Sequence, residues 1–507
     1  MSLFRRLPHL LHTLWLSLKL KRSTSETEQK QLQTQLAEKL AQGRGLPMKV
    51  GQIIAGMNDD HALQSLTQSV EPWSKQRIIP ILEQAWGKPW TDVLQQLDCS
   101  QAAASLGQVH HATLKTGEEV AIKVQYPDIV QAVQAELSIA GMIPKAGPIK
   151  CWNFDMNAYK AHFKRNINQE LDYMHEMQTQ QIFRQQIQVQ GLHIPKIIPD
   201  LCRQNILAQD WVSGVRLAVV AKDWNKLQRL QVAKTLMQTM FQSLFQHGLV
   251  HGDPHPGNYL FEATTPQPTV HLLDFGSTIK VQETPRKALL QLILTSRGEM
   301  RIDPLQGFVA LGFDAIKLQG IEAKLPALMQ IIFRPFISNT PFDLSAWHPA
   351  QEVETMLGQE KWLFRAAGPA DLFLLMRSFQ GLTQQLILLQ SQLPWFPLLK
   401  QAVGEDYLQS IMQEHIVQTI ELPETHGSAM ALHVVVEQAG KPHIHFTLPA
   451  ASALNLSSLI PESVQPVIQQ QHIDIQAIEQ SLQAQGLEPS TLLDIQDDEK
   501  RYYLYLE

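Results

Sequence analysis

The spacing of apolar residues changes several times along the chain, and each change marks a different predicted element. Apolar residues recur at helical spacing through 157–190 and 222–247, and helical patterns dominate 284–415. Two strand-like runs, Val109–Leu114 and Glu118–Tyr126, are separated by a short turn that contains glycine. The order of these patterns predicts an α+β protein in which short strands precede a mainly helical part.

These patterns divide the chain into four parts. We expect a helical extension, a mixed lobe of strands and helices, a helical lobe and a C-terminal α/β module, with the boundaries 1–95, 96–215, 216–415 and 416–507. Two alternating runs joined around Gly440 indicate a hairpin in the last part. Its histidines, His433, His443 and His445, lack the further ligands that a metal site needs, so we interpret them as surface or packing residues.

Composition narrows the functional classes. The chain has 507 residues, of which 44% are hydrophobic and 18% charged, and its formal net charge is −6. This acidic balance gives no reason to expect a nucleic-acid partner. The cysteines Cys99, Cys151 and Cys202 are too scattered for a disulfide framework or a zinc site, which is typical of a reducing compartment such as the cytoplasm. Polar residues interrupt every long apolar run, so we expect no membrane-spanning helix.

The segment 1–22 is basic and amphipathic. Leucines recur in it at helical spacing, and it contains no acidic residue. It carries five cations: Arg5, Arg6, Lys19, Lys21 and Arg22. Such a segment suits a helix that lies in a membrane surface. A helix docked on the protein itself and a targeting peptide are the alternatives that the sequence leaves open.

Three short motifs follow one another in the order that phosphoryl transfer requires. Lys123 ends Val120-Ala121-Ile122-Lys123, a strand pattern in which a kinase lysine holds nucleotide phosphates. In His251–Asn258, Asp253 and Asn258 have the spacing of the kinase catalytic loop. Asp253 is suited to position or deprotonate a nucleophile. Asn258 and Asp274, the latter in Asp274-Phe275-Gly276, are suited to bind Mg²⁺ through oxygen.

Further segments carry a more specific resemblance. These segments are HGDPHPGN at 251–258, Lys49-Val50-Gly51-Gln52, Ala102-Ala103-Ala104-Ser105, Glu170-Leu171-Asp172 and the stretch from Leu374 to Gly381. They resemble the catalytic loop, the KxGQ motif, the alanine-rich loop, the ExD motif and a late helical segment of the UbiB-like (ADCK) family of atypical kinases. The resemblance covers roughly residues 45–390 and implies a protein-kinase-like bilobal fold that binds ATP with Mg²⁺ or Mn²⁺.

The resemblance implies roles for several charged residues. The KxGQ segment would fold over the groove where a protein substrate enters, and Lys49 would point at the nucleotide or at Glu170 and Asp172. Lys123 would pair with a helix glutamate; spacing leaves Glu176 and Glu170 open, with Glu176 favoured. In a regular helix Asp172 and Glu176 share a face, and a solvated acidic face is the alternative interpretation.

Nucleotide contacts are expected in two further places. The alanines at 102–104 stiffen a loop for which ordinary kinases use glycine, so Ser105 is a candidate hydroxyl contact. The hinge between the lobes, where backbone groups meet an adenine edge, is expected at Gln209, Asp210, Trp211 and Val212. Core packing is the alternative role of the tryptophan.

Together these features predict an ATPase or atypical kinase that supports isoprenoid-quinone (ubiquinone) or other lipid metabolism, with a lipid or quinone intermediate as partner. A small-molecule phosphotransferase of the aminoglycoside or choline kinase type and a nucleotide-binding scaffold are the alternatives. The KxGQ and alanine-rich segments favour the first. The polar module 416–507 departs from the apolar spanning helices that end many bacterial members, which weakens the inference to quinones. We expect a cytoplasmic protein with peripheral membrane contact through residues 1–22.

Overall fold

A computed structural model describes the chain in several stretches. They are residues 73–103, 106–127, 129–130, 133, 156–414, 429, 431–438, 441–460, 464–471, 473–485, 487–497 and 500–507.

The small lobe is an antiparallel four-stranded sheet covered by one helix. The helix is α1 (Lys75–Trp86), and the strands, in the spatial order β1-β2-β3-β5, are β1 (Leu94–Ala103), β2 (Gly107–Leu114), β3 (Glu119–Gln125) and β5 (Ile206–Asp210). Ile78 and Leu82 of the helix share one hydrophobic core with Ile122 and Val124 of β3. Strand β1 was not predicted, because its register shifts interrupt the alternation of polar and apolar residues.

Two helices follow where one long helical pattern was predicted. Helix α2 (Met156–Glu170) ends before Asp172, and α3 (Tyr173–Gln186) begins after it. The Asp172 carboxylate caps α3, since its Oδ1 accepts hydrogen bonds from the N–H groups of Met174 and His175 at 3.0 and 3.3 Å. The expectation that Asp172 and Glu176 share the face of one regular helix is therefore wrong.

The helical lobe starts with two helices that lead to the predicted catalytic loop. Helices α4 (Leu217–Asp223) and α5 (Lys226–Phe241) are followed by a π-helical turn at Gln242–His247. Gly248 then adopts a φ of 62°, a left-handed conformation that favours glycine, and its N–H closes the turn onto Leu244. The predicted stop at this glycine is confirmed.

Short strands carry the loops that contain the motifs. They are β4 (Leu192–His193), β6 (Leu249–His251), β7 (Tyr259–Glu262), β8 (Thr269–Leu272) and β9 (Thr278–Lys280). Strands β6 and β9 pair antiparallel, and β4, β8 and β7 form a second small sheet in that order. Because β6 and β9 flank the two motif loops, their pairing brings these loops side by side.

The remainder of the lobe is helical, as the sequence predicts. Its helices are α6 (Glu283–Ser296), α7 (Pro304–Ala310), α8 (Ala315–Gln319), α9 (Leu325–Ile332), α10 (Arg334–Ile337), α11 (Pro349–Leu357), α12 (Lys361–Ala367), α13 (Ala370–Leu388), α14 (Trp395–Val403) and α15 (Glu405–Gln413). An aromatic cluster of Phe241, Phe336 and Trp395 lies at its centre, with ring centroids 5.2–6.4 Å apart. Helix α13 contacts α2, α4 and α5.

The C-terminal module has a hydrophobic core of its own. Its antiparallel strands, in the spatial order β11-β10-β13-β12, are β10 (Ala431–Gln438), β11 (Lys441–Pro449), β12 (Ser490–Asp497) and β13 (Lys500–Leu506). The core lies between this sheet and the helices α16 (Leu456–Leu459), α17 (Gln465–Gln470) and α18 (Ile475–Gln485). The β10–β11 hairpin is confirmed, and the ring of His433 stacks on Tyr505 at 4.7 Å. Among the described residues, no helix is both long and apolar enough to cross a membrane.

Candidate active site

A partly buried ion-pair cluster connects the small sheet with the helical lobe. Lys123 lies in the middle of β3, Glu176 in the first turn of α3, and Asp274 follows Leu273 after the end of β8. The Lys123 Nζ lies 2.8 and 2.9 Å from the two carboxylate oxygens of Glu176, and 2.9 Å from Oδ2 of Asp274. The glutamate partner that spacing left open is therefore Glu176. It faces β3 because Asp172 starts the helix one turn earlier.

Burial and charge act against each other within this cluster. The Glu176 side chain is 1% exposed, and burial raises its pKa to about 7 despite the ammonium beside it. Burial alone would lower the pKa of Lys123, but the carboxylates of Asp274 and Glu176 raise it well above its usual value. Burial opposes ionisation of Asp274 too, yet the Lys123 ammonium keeps the pKa of that carboxyl below its ordinary value. The cluster thus has a fixed cation, an ionised aspartate and a glutamate that titrates near neutral pH.

The catalytic loop and the Asp274-Phe275-Gly276 segment are connected by hydrogen bonds. The Gly252 N–H donates to the Ser277 carbonyl at 2.8 Å, and the Leu273 N–H to the Asn258 carbonyl at 3.0 Å. Phe275 is fully buried, with its ring 5.1 Å from that of Phe183. These contacts hold the two loops that carry Asp253, Asn258 and Asp274 in one rigid unit.

The donor groups of the two loops fit a hard cation. The Asn258 Nδ2 donates to the Asp253 carbonyl at 3.2 Å, which leaves the amide oxygen as an acceptor. Asp274 accepts from the Gly276 N–H with Oδ1 and from Lys123 with Oδ2. In the described part of the chain no three His, Cys, Asp or Glu residues form a metal cluster. One carboxylate and one amide oxygen, completed by phosphate oxygens, are nevertheless typical of Mg²⁺ bound with a nucleotide.

The ExD residues lie beside this unit in different roles. Glu170 is the last residue of α2 and is buried, and its Cα lies 3.7 Å from the position of a Cβ added to Gly276. Asp172 is exposed and caps α3. Lys49, Ala104 and Ser105 lie outside the described residues, so their predicted contacts stay predictions.

Some of the residues that were expected to bind nucleotide belong to strands of the small sheet. Ala102 and Ala103 belong to β1 and pair with Val109 and Gln108, so the expectation that they lie in a loop is wrong. Gln209 and Asp210 end β5, where the Asp210 N–H donates to the Lys196 carbonyl at 2.9 Å. The next N–H, of Trp211, donates to the Glu119 carbonyl at 3.0 Å, and the Trp211 ring lies 4.5 Å from that of His111. Both N–H groups are engaged within the small lobe, and the adenine contact expected of these four residues stays a prediction.

Sequence reasoning gave no role to three residues of α13 that contact the catalytic loop. These are Arg377, Gly381 and Gln385. The only signal was the late helical segment of the family resemblance, which contains the first two. Their distance along the chain from Asp253 hides the contact, because only packing of α13 on the loop creates it.

Comparison with known proteins decides the family. The profile of the ABC1 atypical kinase-like domain matches residues 65–298, which include Lys123, Glu176, the loop at 251–258 and Asp274. The chain belongs to the ABC1/UbiB family of atypical kinases. The resemblance inferred from the motifs is thereby confirmed. The expected fold class is also confirmed: the chain has a protein-kinase-like fold of mixed α+β type.

Relatives within this family are distant. The chain is 24% identical over 338 residues to "Atypical kinase COQ8B, mitochondrial" of Rattus norvegicus, which covers 64% of this chain and 62% of the rat protein. It is 28% identical over 302 residues to "Protein ACTIVITY OF BC1 COMPLEX KINASE 1, chloroplastic" of Arabidopsis thaliana, which covers 56% of this chain and 43% of that protein. The matched part thus spans less than two thirds of either relative.

A solved structure is also similar. It is the complex of Rv3197 with erythromycin from Mycobacterium tuberculosis, at a TM-score of 0.46 and 20% identity, covering 71% of this chain and 87% of that chain.

Proposed function

We propose that this ABC1 protein is a Mg²⁺-dependent ATPase or phosphotransferase. The observation that carries the proposal is the Lys123 ammonium, held by Glu176 and Asp274 beside the loop of Asp253 and Asn258. A fixed cation, a hydrogen-bonded aspartate loop and oxygen donors for a hard cation are the parts that phosphoryl transfer uses. Bound Mg²⁺ would neutralise charge on the phosphates.

Each residue would contribute one function at this site. Lys123 would present its charge to the phosphates, with Glu176 fixing its direction, and Asp253 would orient or deprotonate the attacking nucleophile. Asn258 and Asp274 would supply oxygen ligands. Lys49, Glu170, Ala104 and Ser105 remain candidates for contacts that close the site.

The proposed function predicts that metal-dependent nucleotide binding requires Asp274. Asp274→Asn should weaken binding of Mg-ATP about tenfold or more, about 1.4 kcal/mol, because a neutral amide is a weaker magnesium ligand. Calorimetry with Mg-ATP measures this directly. Asp223→Asn, at an exposed position that ends α4, is the matched control. Equal affinity of wild type and Asp274→Asn for Mg-ATP would exclude the aspartate as a ligand.

We further propose that turnover serves isoprenoid-quinone or other lipid metabolism, which the family resemblance supports. The test is mass spectrometry of lipids and quinones in a deletion strain that carries the wild-type gene, an Asp253→Asn gene or none. The proposal expects the same altered lipid or quinone in the last two strains. An unchanged profile in all three would contradict it.

A peripheral membrane contact through residues 1–22 remains a separate proposal, in a protein expected to be cytoplasmic. The five cations would each contribute about 1 kcal/mol near an anionic surface. We therefore expect co-sedimentation with anionic vesicles that fades as salt rises, and that is mostly lost when all five become glutamine. If removal of residues 1–22 instead lowers thermal stability and the intact protein ignores vesicles at low salt, the segment is a docked helix.

A further inference from the structure

The catalytic loop contains no permanent cation of its own. The segment HGDPHPGN has neither lysine nor arginine, and the ammonium of Lys123 is engaged by Glu176 and Asp274. Asp253 is 17% exposed, so its negative charge lies largely shielded from water. The orientation of this side chain therefore depends on the elements that pack against the loop.

Helix α13 brings a cation to the loop. The Arg377 Nη2 lies 3.9 Å from Oδ1 of Asp253, and the arginine side chain is 15% exposed. Arginine keeps its charge at every pH at which the protein is folded. The distance is long for a direct hydrogen bond, but catalytic contacts are often loose before substrate binds. The guanidinium thus faces the carboxylate and retains donors for it.

The same side of α13 also holds the loop at Pro254, the residue after Asp253. Arg377, Gly381 and Gln385 are four residues apart, so they lie along one side of the helix. The Gln385 side chain is buried and its Nε2 donates to the Pro254 carbonyl at 2.8 Å. A Cβ added to Gly381 would lie 2.2 Å from the Pro254 Cβ, which is an overlap of atoms. A glycine inside a helix is unfavourable without such a reason, so the close approach explains this residue.

We propose that this side of α13 is a positioning element for the catalytic loop, in which Arg377 orients Asp253 while Gly381 and Gln385 fix Pro254. The inference deepens the proposed phosphoryl transfer and rests on it. It assigns no substrate contact to the three residues, which act through Asp253.

The decisive comparison is between Arg377→Gln and Arg377→Lys in the full chain. Misplacing a catalytic group by about 1 Å costs up to about 100-fold in rate, so we expect kcat for ATP hydrolysis to fall about 10–100-fold in Arg377→Gln. Arg377→Lys should recover part of this loss, because it keeps the charge. Binding of Mg-AMP-PNP should change less than about twofold, because none of the phosphate-binding groups is removed. Gly381→Ala should lower kcat in the same way by displacing Pro254.

The kinetic constants separate this role from a merely structural one. Arg377 acts on Asp253 and not on the phosphates, so Arg377→Gln should lower kcat while KM for ATP stays within about twofold of wild type. Met376→Gln, at the adjacent and 61% exposed position, should match wild type throughout.

Hydrogen exchange gives a readout that does not depend on turnover. In the full chain without nucleotide, the peptide covering residues 251–258 should exchange faster in Arg377→Gln and Gly381→Ala than in wild type or Met376→Gln. Wild-type kcat in Arg377→Gln would overturn the inference and leave the proposed function standing. If the wild-type protein neither hydrolyses ATP nor transfers its terminal phosphate, the proposed function fails. Unchanged exchange at 251–258 would then overturn this inference as well, and faster exchange would support it.

Discussion

Replacing Asp253 with asparagine is expected to lower ATP turnover by about 10²–10⁴-fold, the range that general-base catalysis contributes. The loop around this residue should keep its shape, because its hydrogen bonds use the backbone: the Asp253 carbonyl accepts from Asn258, and the Gly252 N–H donates to Ser277. The amide has nearly the volume of the carboxylate but cannot take a proton. Single-turnover and steady-state hydrolysis of Mg-ATP measure the loss.

Nucleotide affinity distinguishes this effect from a damaged site. Mg-ATP binding to Asp253→Asn should stay within about threefold of wild type, since the residue acts on the nucleophile rather than on the phosphates. Asp223→Asn should retain full turnover. Turnover of Asp253→Asn within about twofold of wild type at saturating Mg-ATP would show that Asp253 is not the base.

Glu176 is expected to make stability depend on pH in the neutral range. Its pKa is raised to about 7 in the folded protein, from an ordinary value of 4.5. As pH rises from 4.5 to about 7, the carboxyl of the unfolded chain loses its proton first, while the folded protein still holds it. The contribution of Glu176 to the free energy of unfolding therefore falls. Between about pH 5.5 and pH 7.5 the loss amounts to about 2 kcal/mol. The raised pKa of Lys123 and the lowered pKa of Asp274 lie outside this pH range.

Glu176→Gln removes this titration and isolates its effect. The difference in unfolding free energy between wild type and Glu176→Gln should therefore shift by about 2 kcal/mol, in favour of the variant, from about pH 5.5 to pH 7.5. Urea unfolding at both pH values measures the shift. Glu354→Gln, which alters an exposed ion pair with Lys361, is the control and should show no resolvable pH-dependent difference. A constant difference between wild type and Glu176→Gln would show that the glutamate is ionised throughout.

The sequence predicted those features that depend on local pattern. The strand around Lys123, the turn to the next strand, the helix stop at Gly248 and the loop spacing of Asp253 and Asn258 all follow from neighbouring residues. The local pattern did not predict the break at Asp172, where a side chain separates two helices. The apolar spacing continues across Asp172, and only the cap made by its carboxylate shows that one helix ends and another begins.

Contacts between distant segments could not be predicted in the same way. The Lys123–Glu176 pair was narrowed to two glutamates by spacing, but the cap at Asp172 decides which of them faces β3. Arg377 is separated from Asp253 by more than a hundred residues, and nothing in the loop indicates it. Such contacts arise from the packing of whole helices, so they become visible only in three dimensions.

The Lys123 ammonium also connects the two lobes to each other. Strand β3 belongs to the small lobe and Asp274 to the helical lobe, so the 2.9 Å contact between Lys123 and Asp274 bridges the cleft. Any swing of the lobes away from each other must separate the Lys123 ammonium from the Asp274 carboxylate, which are 15% and 33% exposed. We therefore expect the cleft to open less often than it would without this ion pair. The residence time of a molecule in the cleft would then depend on how often the ion pair between Lys123 and Asp274 breaks.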